Sequence, residues 1–175
     1  IRLLTGKKGT VYLIICMAAA FSLTSCKKHT AVSGLQKQKA MADSIMRHID
    51  DTTAVKLQME KYHKKKNLVG EMMALKRLGK IYREGNRYFE SIDCHQKEME
   101  ISKELGDTID MVQALNDIGT NFRRLGILDE ASNYHYLALK ISNAYSDKND
   151  KVAKKNKVKA LNGIGNICLT LKDNV

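Results

Sequence analysis

Three glycines, Gly79, Gly119 and Gly165, each sit in the same apolar frame. The frames read Leu75, Leu78, Gly79, Tyr82; then Leu115, Ile118, Gly119, Phe122; then Leu161, Ile164, Gly165, Cys168. Residues three, four and seven apart share one face of an α-helix, so each frame predicts a helix with a glycine in its buried stripe. Inside a helix a glycine costs about 1 kcal/mol relative to alanine. Three at one register therefore need a compensating role, and close packing of a neighbouring helix against the missing side chain supplies one. The glycines are 40 and then 46 residues apart, a spacing that points to stacked helical pairs. The chain has no proline to interrupt such helices.

The segments between the glycines complete a unit. After Tyr82 come Gly85 and Asn86, then Tyr88, Ser91, Ile92, His95 and Met99 at helical spacing; after Phe122 come Gly126, then Leu128, Ala131, His135, Ala138 and Leu139. Each unit reads as helix, turn, helix. This arrangement resembles the tetratricopeptide repeat family, whose motif runs Leu-Gly-x-x-Tyr, a turn, then Ala-x-x-x-Tyr-x-x-Ala. The second copy matches through Ile118, Gly119, Phe122, Gly126, Ala131 and Ala138, whereas Ser91 and Glu98 replace the small alanines of the first. The resemblance covers residues from about 69 onward. It implies an all-α solenoid of stacked helix-turn-helix pairs, truncated after the first helix of the third repeat. The periods exceed the roughly 34 residues of the basic repeat, and longer helices and connectors such as Gly106-Asp107-Thr108 would absorb the surplus.

Residues 1–25 follow another logic. Arg2, Lys7 and Lys8 precede an apolar stretch from Val11 to Leu23, too short for the roughly 20 residues of a spanning helix. It closes on Leu23-Thr24-Ser25-Cys26, which resembles the bacterial lipobox. That resemblance implies cleavage before Cys26 and a lipid on its thiol, hence a membrane-anchored lipoprotein of the cell envelope. Lys27 follows directly and no acidic cluster does, which favours a periplasm-facing attachment. Residues 26–33 read as a tether. Residues 34–67 read as a helical pair, a diverged repeat or cap, with Leu35, Ala42, Ile45 and Ile49 on one face and Val55, Met59 and Tyr62 on the next, and with an aspartate or threonine of 50–53 capping the second helix. The repeats then occupy about 68–107, 108–148 and 149–175, the last incomplete, with a first helix over about 150–171 and the expectation that a longer protein continues it.

The net charge of +11 falls to +8 once the leading segment is removed. In an exported chain without a recognition helix or a base-stacking platform, that charge does not point to nucleic acid. The clusters at Lys61, Lys64, Lys65 and Lys66 and at Lys151, Lys154, Lys155, Lys157 and Lys159 read as solvated helix surface. Cys94 and Cys168 remain as free, buried thiols, with Cys168 facing the core.

No phosphate loop, His-Glu-x-x-His, Cys-x-x-Cys or Gly-x-Ser-x-Gly is present, so no catalytic residue, metal ligand or cofactor is expected. His95 and His135 fill the bulky core slot of successive second helices. The family resemblance implies that first helices line a binding groove, with Lys76, Lys80 and Arg83, then Asn116, Thr120 and Arg123, then Lys159, Asn162 and Asn166 pointing into it. Cations and amides there would take an acidic or carboxylate-bearing protein or peptide. Some family members clamp a terminal carboxylate; Lys76 and Lys159 match two of those five positions, while Lys80, Asp117 and Gly163 depart from it. Two functions follow: an interaction scaffold, or the extracytoplasmic sensor region of a longer signal transducer, an organisation that resembles signalling proteins of the Bacteroidetes.

Overall fold

Three-residue turns recur every twenty residues and set the architecture of the chain. The structure, a computed structural model, describes residues 33–145 and 150–173. The leading segment, Cys26 and most of the tether lie outside the described residues. Among the described residues every regular element is an α-helix: α1 over 33–46, α2 Thr52–Lys64, α3 Leu68–Glu84, α4 Tyr88–Glu104, α5 Thr108–Arg124, α6 Leu128–Ala144 and α7 Lys151–Asp173. From Met41 onward the chain forms one packed unit in which each helix lies against the next. This is a helical-repeat solenoid. No helix of the described residues is long and apolar enough to cross a membrane.

Left-handed backbone appears at Lys66, Asn86, Gly106 and Gly126, with φ of 53°, 58°, 68° and 76°. After each, an N–H turns back to a carbonyl five residues earlier: Asn67 to Tyr62, Arg87 to Tyr82, Asp107 to Ser102 and Ile127 to Phe122, at 2.8–3.0 Å. This satisfies carbonyls that the ending helix leaves unpaired. Side chains then start several of the next helices. Asp51 accepts from the Ala54 N–H, Asn67 from Gly70 and Asp107 from Asp110, and Asp150 accepts from both Val152 and Ala153. Such caps contribute about 1 kcal/mol each. The surplus length over the basic repeat therefore lies in helices of 17 residues. Contrary to expectation, the Gly106-Asp107-Thr108 junction is no longer than the other turns. The wider second spacing arises from α6 to α7, where six residues separate the helices and α7 runs to 23 residues.

Packing corrects two faces read from the sequence. In α1 the buried side runs through Ala42 and Met46, while Ile45 is exposed. Met46 fits there because it lies four residues after Ala42, on the side that meets Val55, Met72 and Met73 of the core. In α7 the side packed on preceding helices carries Asn156, Ala160, Gly163 and Ile167. The Leu161, Gly165 and Cys168 side is uncovered: Leu161 is 48 % exposed, nothing lies within 4 Å of a Cβ built at Gly165, and Cys168 is exposed rather than in the core. The frame face of α3 is covered by α4, and that of α5 by α6; among the described residues no helix covers that of α7.

Candidate binding cleft

The first helices of successive units are tied to one another by polar side chains. Lys76 of α3 donates to Asp110 Oδ1 at 2.8 Å and to Gln113 Oε1 at 3.0 Å, both on α5. One unit later Asn116 stands in the place of Lys76, and its Nδ2 donates to the Asn156 carbonyl of α7 at 2.9 Å. Asn156 Nδ2 donates in turn to the Ile109 carbonyl at 3.1 Å. Arg83 of α3 and Lys159 of α7 both bond to Oδ1 of Asp117 on α5, Lys159 at 2.7 Å. Burial alone would raise the Asp117 pKa. The nearby Lys159, His95 and Arg83 outweigh it and hold the carboxyl down at about 2.

The second helices insert imidazoles under the glycines. A Cβ on Gly79 would lie 2.5 Å from His95 Nε2; one on Gly119 would lie 3.0 Å from His135, and one on Gly163 only 2.4 Å from the same ring. His95 Nδ1 lies 2.7 Å from Glu98 Oε2, a fully buried carboxyl whose pKa is raised by burial against the opposing hydrogen bond to His95. Ser91 Oγ donates to the Gly79 carbonyl at 2.7 Å and accepts from Asn121 Nδ2 at 2.8 Å. Ser91 and Glu98 thus fill their slots with hydrogen bonds where Ala131 and Ala138 of the next unit pack as plain methyl groups.

Above these contacts lies a cleft of about 340 Å³. Its walls carry Arg47, Lys76, Arg77, Lys80, Arg83 and Lys159, against the carboxylates of Asp43 and Asp117, over an apolar patch of Met46 and Met73. Four of the nine groove residues read from the sequence meet here: Lys76, Lys80, Arg83 and Lys159. Asn116 does not. It is fully buried, with its oxygen toward His135 and its amide on Asn156, because its position is the inter-unit tie rather than open groove. The Thr120 hydroxyl donates back to the Asn116 carbonyl, and its residue lines a separate cleft of about 270 Å³ with Arg83, Tyr88 and Arg124. Arg123 is half-buried outside the main cleft, and Asn162 and Asn166 are exposed outside it.

Arg47, Arg77 and Asp117 were not read as site residues. Arg47 sits in the turn after α1, a helix without the glycine frame. Arg77 is fixed by the Ile49 carbonyl at 2.8 Å and by Asp50, partners remote in sequence. The Asp117 signal was its departure from the carboxylate-clamping set. Lys61, Lys64, Lys65 and Lys66 are exposed as read, whereas Lys159 leaves its surface cluster for the cleft.

A solenoid of helical pairs with a polar cleft along its first helices defines a helical-repeat class of protein. Residues 71–144, which span most of α3 through α6, match the family model described as tetratricopeptide repeat. Among curated proteins, none matches the chain.

Proposed function

We propose that the chain is a non-enzymatic scaffold that binds a protein or peptide partner in the Arg47 to Lys159 cleft, with acidic segments preferred. The observation that carries this reading is the charge of the cleft: six cations against two carboxylates on one concave surface, with methionines beneath for apolar contact. Four of the six, Lys76, Arg77, Arg83 and Lys159, are held in place by Asp110, Asp50 and Asp117, so little of their side-chain order remains to be imposed on binding. The lipobox-like Leu23-Thr24-Ser25-Cys26 supports carriage of this scaffold on a bacterial envelope lipoprotein. Loss of acyl labelling in Cys26→Ala would test that part separately.

The test of the cleft is charge reversal at its exposed cations. Arg47→Glu with Lys80→Glu should weaken binding of a fluorescent Glu-rich peptide at least about tenfold, a loss of about 1.4 kcal/mol. Lys64→Glu with Lys65→Glu, on the α2 end, should change it little. Equal losses from both pairs would reduce the cleft to bulk charge and end the proposal.

A further inference from the structure

The two imidazoles occupy equivalent places in successive units, but different chemistry holds their Nδ1 atoms. In the second unit the acceptor is neutral: Asn116 of α5 presents its Oδ1 to His135 at 3.1 Å. One unit earlier that place on α3 is Lys76, whose ammonium donates only and is turned to Asp110 and Gln113. His95 takes Glu98 Oε2 of its own helix instead, at 2.7 Å. Where the next unit has the methyl group of Ala138, the first thus carries an ionisable carboxyl.

This pair is sealed from water yet electrically open to the cleft. The two side chains are 2 % and 0 % exposed, and His95 Nε2 and Glu98 Oε1 are buried with no hydrogen-bond partner. His95 nevertheless forms part of the cleft lining, because Gly79, on the same side of α3 as Lys76 and Arg83, places no side chain over the ring. The charged groups that face the pair are Lys76 from α3 and Asp117 from α5, the second held in turn by Arg83 and Lys159. All four line the cleft. A change of charge on the pair is therefore felt where a partner would sit.

Building on the cleft reading above, we propose that the His95–Glu98 pair makes capture of an acidic partner proton-linked: the cleft holds such a partner more tightly once the pair has gained a proton, and binding draws that proton in. Before the proton arrives, a neutral imidazole donates from Nδ1 to a carboxylate, and the pair carries one negative charge beneath the cations. Afterwards the pair is neutral, whether the proton rests on the ring or on the carboxyl. The cleft then presents one more net positive charge to an acidic side chain. Burial raises the Glu98 pKa against the opposing hydrogen bond to His95, so this carboxyl takes its proton above the ordinary carboxylate range. Linkage is reciprocal, so a bound acidic segment must raise the proton affinity of the pair by the factor that the proton raises binding.

The test is calorimetric titration of the full chain with a peptide of six aspartates, amidated at its C-terminus, at about pH 8 and about pH 5.5, where aspartate stays ionised. The unsubstituted chain should bind about fivefold or more tightly at the lower pH. Its binding heat should also vary with the ionisation enthalpy of the buffer, as net proton uptake requires. In Glu98→Gln an amide would brace His95 as Asn116 braces His135, and both the pH dependence and the buffer dependence should fall away. Equal affinity of the unsubstituted chain at the two pH values, or an unchanged affinity ratio in Glu98→Gln, would overturn the proposal and leave the cleft reading standing. Absence of binding by both forms at both pH values would overturn both. Should Glu98→Gln not fold, the His95 ring resonances of the unsubstituted chain decide: saturating peptide should move their titration midpoint to higher pH, and an unmoved midpoint sinks the proposal.

Discussion

His135 Nδ1 lies 3.1 Å from Asn116 Oδ1, and the imidazole is wedged between Gly119 and Gly163. Because the Asn116 amide nitrogen donates to the Asn156 carbonyl, its oxygen faces the ring, and the ring must donate from Nδ1. The other nitrogen is buried without a partner against glycine backbone. Burial first, then Lys159 of α7 and Arg123 of α5, opposed by Asp117, push the His135 pKa down to about 4. A depressed histidine contributes stability above its unfolded value of about 6.5 and loses it as pH falls toward the folded value. His135 by itself should therefore withdraw roughly 2 kcal/mol of stability between about pH 6.5 and 4, after allowance for solvent screening. In His135→Gln the melting temperature should vary less across that window. An unchanged slope would remove His135 from the account.

Gly163 and Gly165 differ by two positions and should respond oppositely to alanine. A Cβ at Gly163 would stand 2.4 Å from His135 Nε2, while at Gly165 it would meet nothing within 4 Å. Gly163→Ala should cost about 1–3 kcal/mol through overpacking. Gly165→Ala should be neutral or gain up to about 1 kcal/mol in helix propensity. Paired thermal melts decide, and equal shifts would contradict the packing described.

The groove cations likewise divide into those tied to buried carboxylates and those in exposed pairs. Lys76 bridges α3 to Asp110, which is 4 % exposed, whereas Lys80 is 52 % exposed and only 3.7 Å from Glu84. Lys76→Met should destabilise by about 2–4 kcal/mol, since it withdraws a charge partner from a buried carboxylate. Lys80→Met should stay within about 0.5 kcal/mol. Urea titration of both variants provides the comparison.

The glycine frames made the helical pairs legible because period and spacing are local properties of the chain. Lys76, Lys80, Arg83 and Lys159 were placed in one groove through the family resemblance, in which first helices turn that face to it, and five other residues placed on the same basis do not meet there. Pairing across helices was not legible. Asn116 reads like an open amide until Asn156 and His135 close on it, and Asp117 reads like a misfit until Arg83 and Lys159 arrive from 34 and 42 residues away. Cys168 was misplaced because its slot is filled from a second helix, and no described helix lies over that face of α7.

That difference in burial predicts the order of thiol reactivity. Cys94 of α4 lies in the core cluster with side chains of α1, α2 and α3, and burial pushes its pKa up to about 11, so almost no thiolate is present near neutrality. Cys168 is exposed on the uncovered side of α7. A maleimide at pH 7 should modify Cys168 within minutes and reach Cys94 only when urea opens the helical stack, with peptide mass spectrometry assigning each site. Binding of any helix over the Leu161 and Gly165 face would slow Cys168 and leave Cys94 unchanged. Rapid labelling of Cys94 in the native chain would contradict the burial of that helix, whereas protection of Cys168 in the isolated chain would reveal a cover on α7.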